Sequence, residues 1–229
     1  MASRKSCAWL VTGANRGIGL AFAQALSRRG DEVIATARRP EKAADLRRLP
    51  VRVEPLDVAD AESVANLTKR LQGVPLDVLI NNAAIGEDGP AFPRLKMEDL
   101  EEALRVNTIG PAAVTQALLP SLRAGGRRTI VNLSSGLGSV SENDGGGWIA
   151  YRASKAALNQ LTRSIAADLK TERFVCVSLC PGWVRTDMGG PGAPLSPSSS
   201  VAAMLQVIDR LTPADTSRFL DRLGHDIAW

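Results

Sequence analysis

The chain contains one tyrosine, Tyr151, and four residues later comes Lys155, in the run Tyr151-Arg152-Ala153-Ser154-Lys155. On a helix, positions i and i+4 share a face, so phenol and ammonium would stand side by side. A free phenol titrates near ~10 and is no base at neutral pH, but an adjacent ammonium favours its ionised form. The pair therefore reads as a tuned acid–base couple, against the plain alternative of an exposed helical pair. Upstream, the apolar run Thr129–Leu133 ends in Ser134-Ser135. A hydroxyl at that point can donate a hydrogen bond to an oxygen that gains charge during a reaction. Asn107 interrupts the middle of a helical segment, where it either bonds local backbone or holds a water that relays protons to Lys155. His225 is the one histidine, and Cys7, Cys176 and Cys180 lack metal-ligand spacing. A His-rich zinc site is thereby excluded, and a Ser-His-Asp triad would rest on a single residue in the tail.

A second group of residues handles phosphate. Ala8–Val11 runs into Thr12-Gly13-Ala14-Asn15-Arg16-Gly17-Ile18-Gly19, and a helical pattern follows. Glycines there permit a tight turn and let backbone N–H groups approach a pyrophosphate, with the helix N-terminus supplying partial positive charge. The spacing is G-x-x-x-G-x-G rather than G-x-G-x-x-G. Position at the first strand–helix junction makes Gly13, Asn15, Arg16, Gly17, Ile18 and Gly19 a dinucleotide loop rather than a simple turn. At the end of the second strand, where an NAD binder carries a carboxylate for the ribose, this chain reads Ala37-Arg38-Arg39. Arg16 and Arg38 together suit a 2′-phosphate, which guanidinium groups grip bidentately, so the expected cofactor is NADP(H). Asp57, followed by Val58, ends the third strand and can accept from an adenine amino group or cap the next helix. In Asn81-Asn82-Ala83-Ala84, the Asn side chains can bond backbone across neighbouring strands, while Asn82 and Ala83 lie under the cofactor. Lys155 can also bond the nicotinamide ribose.

These residues need a scaffold that brings strand ends together. Short apolar runs recur at Ala8–Val11, Glu32–Ala37, Val51–Pro55, Leu76–Asn81, Thr129–Leu133 and Phe174–Leu179. Amphipathic segments with helical spacing lie between them, at Ile18–Arg29, Glu41–Leu49, Ala61–Leu71, Met97–Leu122 and Ala150–Lys170. The alternation predicts an α/β fold: a single Rossmann domain over residues 1–229, a doubly wound parallel sheet with helices on both faces. The stretch Gly189–Ser200, rich in Gly, Pro and Ser, predicts a mobile substrate-side loop at about 187–199.

Composition narrows the class. The chain has 229 residues, 28 Lys plus Arg against 24 Asp plus Glu, and 45% hydrophobic residues. This is one globular domain, neither disordered nor fibrous. The basic residues are scattered, so no nucleic-acid surface is expected. No secretory leader is read at the N-terminus, and no run reaches the roughly 18 apolar residues of a membrane span. The expectation is a soluble, cytoplasmic protein with reduced thiols.

Together these motifs resemble the short-chain dehydrogenase/reductase family over nearly the whole chain. Thr12–Gly19 resembles its glycine loop, and Asn81–Ala84 its N-N-A-G motif with Ala84 in place of Gly. Asn107, Ser135, Tyr151 and Lys155 fill the places of its catalytic tetrad. Ser135 and Tyr151 are 16 positions apart, a few more than usual in the family, so Ser134 remains the alternative serine. Pro181-Gly182-Trp183-Val184-Arg185-Thr186 resembles the P-G-x-x-x-T segment. By that resemblance Pro181 and Gly182 border the cofactor, while Val184 backbone and Thr186 hold the nicotinamide carboxamide. The length, the Tyr-Arg-Ala-Ser-Lys form and the ending resemble the carbonyl reductases of the C-factor and sniffer type. The resemblance implies hydride transfer between NADP(H) and a small carbonyl or alcohol substrate. It also implies a homodimer or tetramer through the Ala150–Lys170 helix. The alternative is a cofactor-binding signalling protein with little turnover; a nucleotide-sugar epimerase would need a further substrate domain.

Overall fold

The computed structural model describes residues 6–86 and 92–229, so the leader reading of residues 1–5 lies outside the described residues. The strands are β1 (Ala8–Val11), β2 (Glu32–Ala37), β3 (Arg52–Pro55), β4 (Val78–Asn81), β5 (Thr129–Leu133), β6 (Val175–Cys180) and β7 (Arg218–Asp221). All pair in parallel, in the order β3-β2-β1-β4-β5-β6-β7. The helices are α1 (Gly17–Arg28), α2 (Ala44–Arg47), α3 (Ala61–Arg70), α4 (Met97–Leu104), α5 (Gly110–Ala124), α6 (Ile149–Asp168) and α7 (Pro197–Arg210). The strand order reverses between β1 and β4, which opens a crevice at the carboxyl ends of the strands. This is the doubly wound, single-domain α/β architecture that the alternating pattern predicts.

Strands buried on both faces explain the continuous apolar runs. Along β6, Val175, Val177 and Leu179 enter the core layer shared with Phe22, Leu26, Met204 and Ile208 of α1 and α7. Cys176 enters the opposite layer, with Val114, Leu118 and Leu122 of α5. That alternation is the two-residue period of a strand seen from its two sides.

Four local departures from the sequence pattern have physical causes. The single helix expected over Met97–Leu122 is broken by a π-helical turn at Arg105–Ile109, and α5 starts afresh with Pro111 in its first turn. A proline lacks the N–H that an α-helix would offer the Asn107 carbonyl, so the ladder slips here. The helix expected at Glu41–Leu49 shrinks to a 3₁₀ turn and the four residues of α2. The loop expected at 187–199 is more structured than its composition suggests. Arg185 N donates to Leu195 O (2.8 Å), Gly190 N to Thr186 O (2.9 Å), and Trp183 Nε1 to Gly189 O (2.8 Å). Residues 197–199 are already the first turn of α7, capped by Ser196 accepting from Ser199 N. Strand β7 has no counterpart in the sequence reading, because a short edge strand flanked by charges carries little apolar signal. Its Arg218 is held between Asp215 (2.8 Å) and Asp226 (2.9 Å).

Beneath the crevice runs a buried polar ladder. Asn81 Nδ2 donates to Thr115 Oγ1 (3.0 Å) and Asn132 Oδ1 (2.8 Å), and Asn132 Nδ2 donates to Thr162 Oγ1 (2.8 Å). Ser178 Oγ donates to the same threonine hydroxyl at 3.1 Å. Strands β4, β5 and β6 are thereby tied to α5 and α6 inside the protein, where an unpaired amide would be costly.

Candidate active site

The glycine loop closes over the ends of β1 and β4. Thr12 Oγ1 accepts from Asn82 N (2.9 Å) and Ala83 N (3.0 Å), while Asn82 Nδ2 donates to Thr12 O (2.8 Å) and Gly13 O (3.1 Å). Asn82 bonds backbone across strands, as expected; Asn81 instead serves the side-chain ladder. Gly13 has φ +64°, and a Cβ there would stand 2.9 Å from Ala83 Cα. At Gly19 a Cβ would stand 2.4 Å from Gly13 O, so the helix start and the loop touch backbone to backbone. These positions admit only glycine, and they leave the concave backbone cradle that a pyrophosphate needs.

The residues expected at the adenosine end are less uniform. Arg38 is exposed after β2, with no ion-pair partner among the described residues. Asn15 is exposed in the glycine loop, and Ile18 packs inward on the core. Arg16 is paired with Asp187, a residue of the segment after Thr186. Asp57 is not a helix cap: its Oδ1 accepts from Ala59 N (3.0 Å) in a local turn, and Asp60 caps α3 by accepting from Glu62 N. Val58 is buried against Gly110 at the start of α5.

At the other end of the crevice, β5, β6 and α6 bring Ser135, Tyr151, Lys155 and Cys180 together. The Ser135 hydroxyl stands close enough to the Tyr151 phenol to favour its ionised form. Ser135 Oγ also accepts from Leu137 N at 3.2 Å, capping a 3₁₀ turn. Ser134 is turned away, its hydroxyl buried and without a partner. Lys155 is buried beneath, its Nζ donating to Leu133 O at 2.8 Å and lying 5.6 Å from the Tyr151 ring centroid. Burial pushes the Tyr151 phenol up to about 12, against the opposing pull of the Ser135 hydroxyl. Burial likewise brings the Lys155 ammonium down to about 8. The sequence reading had the ammonium lowering the phenol; in the structure loss of water dominates both groups.

Asn107 does something more specific than expected. Its Oδ1 accepts from Ile85 N (2.9 Å), and its Nδ2 donates to Ile85 O (2.8 Å) and Ser154 Oγ (3.0 Å). The side chain is fully used in clamping the loop after β4 to α6, so any water it holds must sit on its main chain. Just past the clamp, Gly86 lies against the tyrosine ring: a Cβ there would stand 2.7 Å from Tyr151 Cδ2.

Further along, Val184 is buried and Thr186 Oγ1 accepts from Gly189 N at 3.1 Å. The Thr186 methyl faces Gly17, so the glycine loop and the Pro181–Thr186 segment form opposite walls of the crevice. Cys180 Sγ accepts from Gly136 N at 3.2 Å, tying the turn after β5 to the end of β6. Two residues of this site escaped the sequence reading, Gly86 and Cys180, whereas Trp148 and Met188 lie in the stretches 136–149 and 187–199 expected to form most of the substrate pocket. Trp148 stands edge-on to Tyr151, with ring centroids 5.9 Å apart, and Trp183 and Met188 are exposed on the segment beyond. The available signal for Trp148 was an aromatic residue following three glycines and preceding the sole tyrosine by three.

His225 pairs with Asp221 at 3.0 Å and takes no part in this cluster. Among the described residues there is no group of three or more His, Cys, Asp or Glu placed to hold a metal ion. Nor is any described helix long and apolar enough to cross a membrane.

Known proteins resemble the chain in sequence and in overall fold. A family model described as short chain dehydrogenase matches residues 8–193. The chain is 46% identical over 155 residues to C-signal of Myxococcus xanthus, covering 68% of this chain and 93% of that protein. Among solved structures, the carbonyl reductase Sniffer of D. melanogaster superimposes with a TM-score of 0.94 at 34% identity, covering 98% of this chain and 100% of that one. An NADPH-bound carbonyl reductase from chicken fatty liver gives 0.90 at 34% identity, covering 99% and 100%.

Proposed function

Because the chain belongs to the short-chain dehydrogenase family, we propose that it is an NADP(H)-dependent carbonyl reductase with Tyr151 as proton donor. The observation that carries this reading is the meeting of Ser135, Tyr151 and buried Lys155 at the carboxyl ends of β5 and β6. The cofactor fits the chain's own features. The backbone cradle at Gly13, Gly17 and Gly19 suits a pyrophosphate, and unpaired Arg38 beside Ala37 suits a 2′-phosphate. The NADPH seen in the chicken carbonyl reductase supports the same choice. Asn82, Ala83, Pro181, Gly182, Val184 and Thr186 line the crevice between those ends, and Lys155 would reach a ribose from below.

Bound NADPH supplies a hydride for the carbonyl carbon. The protein supplies the rest. A phenol pushed up to about 12 by burial is protonated throughout the neutral range, which is the form a reductase needs in its acid. Ser135 donates a hydrogen bond to the substrate oxygen as charge builds on it, but it is too weak an acid to yield its proton. Lys155, held by Leu133 O, stands next to the phenol and favours its ionised form once the proton has left. A water on the Asn107 carbonyl, which Pro111 leaves without its helical donor, would restore protons to Lys155. Family membership also supports a homo-oligomer built on α6, which light scattering tests.

Tyr151→Phe should lower kcat for NADPH-dependent reduction of an aldehyde or ketone by about 10²–10⁴-fold or more, with little change in NADPH affinity. Near-wild-type turnover in that variant would refute the reading. One observation favours a second reading, a cofactor-binding signalling protein: the likeness to C-signal. A wild type that binds NADPH and reduces nothing in a screen of aldehydes, ketones and quinones would support it.

A further inference from the structure

We propose that Trp148 is a positioning residue, its indole fixed edge-on against the Tyr151 ring by a left-handed backbone so that the phenol is held where it meets the substrate oxygen. The inference rests on Tyr151 as the proton donor. Three consecutive residues before α6 are left-handed: Gly146 at φ +62°, Gly147 at φ +66° and Trp148 at φ +49°. Glycine adopts this region freely, whereas an indole-bearing residue does so against steric resistance. Trp148 is also the N-cap of α6 and makes no side-chain capping bond, in a place that favours Ser, Thr, Asp or Asn. Two local preferences are thus broken at one residue, the pattern of a position kept for its site rather than for its fold.

The compensation is visible around it. Arg152 Nε donates to Gly146 O and Gly147 O, at 3.1 Å each, and Arg152 N donates to Trp148 O at 2.8 Å. The residue next to the tyrosine therefore straps the left-handed turn in place. Its indole then meets the Tyr151 ring at 69° with centroids 5.9 Å apart, an edge-to-face contact. Gly86, next to Ile85 that Asn107 clamps, leaves no room for a side chain beside the same ring, since a Cβ there would stand 2.7 Å from Cδ2 and 2.9 Å from Cε2. Ring rotation about the side-chain bonds is blocked from two separate elements, and the hydroxyl is left facing Ser135.

Trp148→Gly separates this role from a structural one, because glycine suits the left-handed turn without resistance; Trp148→Asn does the same with a residue that also caps helices. Each should keep or raise the thermal midpoint and keep NADPH affinity, while kcat falls about 10-fold or more through a looser acid. Trp148→Phe, which retains an edge, should restore kcat to within about threefold of wild type. A Gly or Asn variant with wild-type kcat overturns the proposal, as does a loss carried by KM alone. Tyr151→Phe assayed in parallel tells the two failures apart: if it remains active the acid assignment is wrong, and if it is inactive beside a fully active Trp148→Gly only the positioning role is wrong.

Discussion

Replacing Gly86 by alanine should slow reduction by about 10²-fold without weakening NADPH binding. The added Cβ would lie 2.7 Å from Tyr151 Cδ2 and 2.9 Å from Cε2. Carbon atoms in contact prefer about 3.5–4.0 Å, so ring and loop must part by roughly 1 Å. The loop cannot yield cheaply, since Asn107 holds both the N–H and the carbonyl of Ile85, at 2.9 and 2.8 Å. The phenol therefore moves, and a misplacement of about 1 Å in a reacting group is worth about 10²-fold in rate. Overpacking of this size costs about 1–3 kcal/mol of stability, leaving the enzyme folded at assay temperature. The measurement is kcat at saturating NADPH, followed by loss of NADPH absorbance, alongside a cofactor titration and a melting curve. A variant with kcat within twofold of wild type would show that Gly86 does not constrain the acid.

Two further outcomes follow from the electrostatics. Arg38→Asp should reverse or flatten the preference for NADPH over NADH, since Arg38 is exposed directly after β2 with no ion pair among the described residues and Arg16 is already engaged by Asp187; tighter NADH than NADPH binding by the wild type would refute this. Lys155→Met should abolish turnover yet stabilise the fold. Burial lowers the lysine from 10.5 to about 8, so below about pH 8 the folded state carries the cost of a desolvated ammonium, roughly 3 kcal/mol, offset by about 1 for its bond to Leu133 O. Between about pH 8 and 10.5 the folded protein binds fewer protons than the unfolded chain, and wild-type stability rises. The variant's lead in melting temperature, several degrees at pH 7, should therefore shrink across that window; a variant less stable than wild type at pH 7 contradicts the argument.

The positions of the chemical groups were legible because their spacing is a property of single elements. Tyr151 and Lys155 share a turn of α6, and Gly13 to Gly19 span one strand–helix junction. What could not be read is what depends on a third element arriving from elsewhere. Which of Ser134 and Ser135 stands near Tyr151 depends on where α6 lies, since both follow the same strand. The pKa of Tyr151 hinged on how much water Trp148, Gly86 and Cys180 exclude, a quantity no local pattern encodes. Glycine-rich composition likewise promised a loose segment after Thr186. Backbone bonds from Trp183, Arg185 and Thr186 run across it, and Ser196 caps α7, whose first three residues, 197–199, fall inside the expected loop.

The ladder of Asn81, Asn132, Thr115, Thr162 and Ser178 has a consequence for how this protein can evolve. Each member satisfies another, so the effect of changing one depends on the identity of its neighbours. Asn132→Leu alone takes one partner each from the Asn81 amide and the Thr162 hydroxyl, which keep Thr115, Leu158 and Ser178, whereas the same change beside matching apolar replacements leaves no polar group short of a partner. Substitutions here are therefore strongly epistatic: single steps are closed, and the viable routes run through paired or triple changes. Exposed Trp183 and Met188, on the segment after β6, belong to no such ladder and can drift one residue at a time. Substrate preference can change quickly in this fold while the floor that holds Tyr151 and Lys155 keeps its sequence.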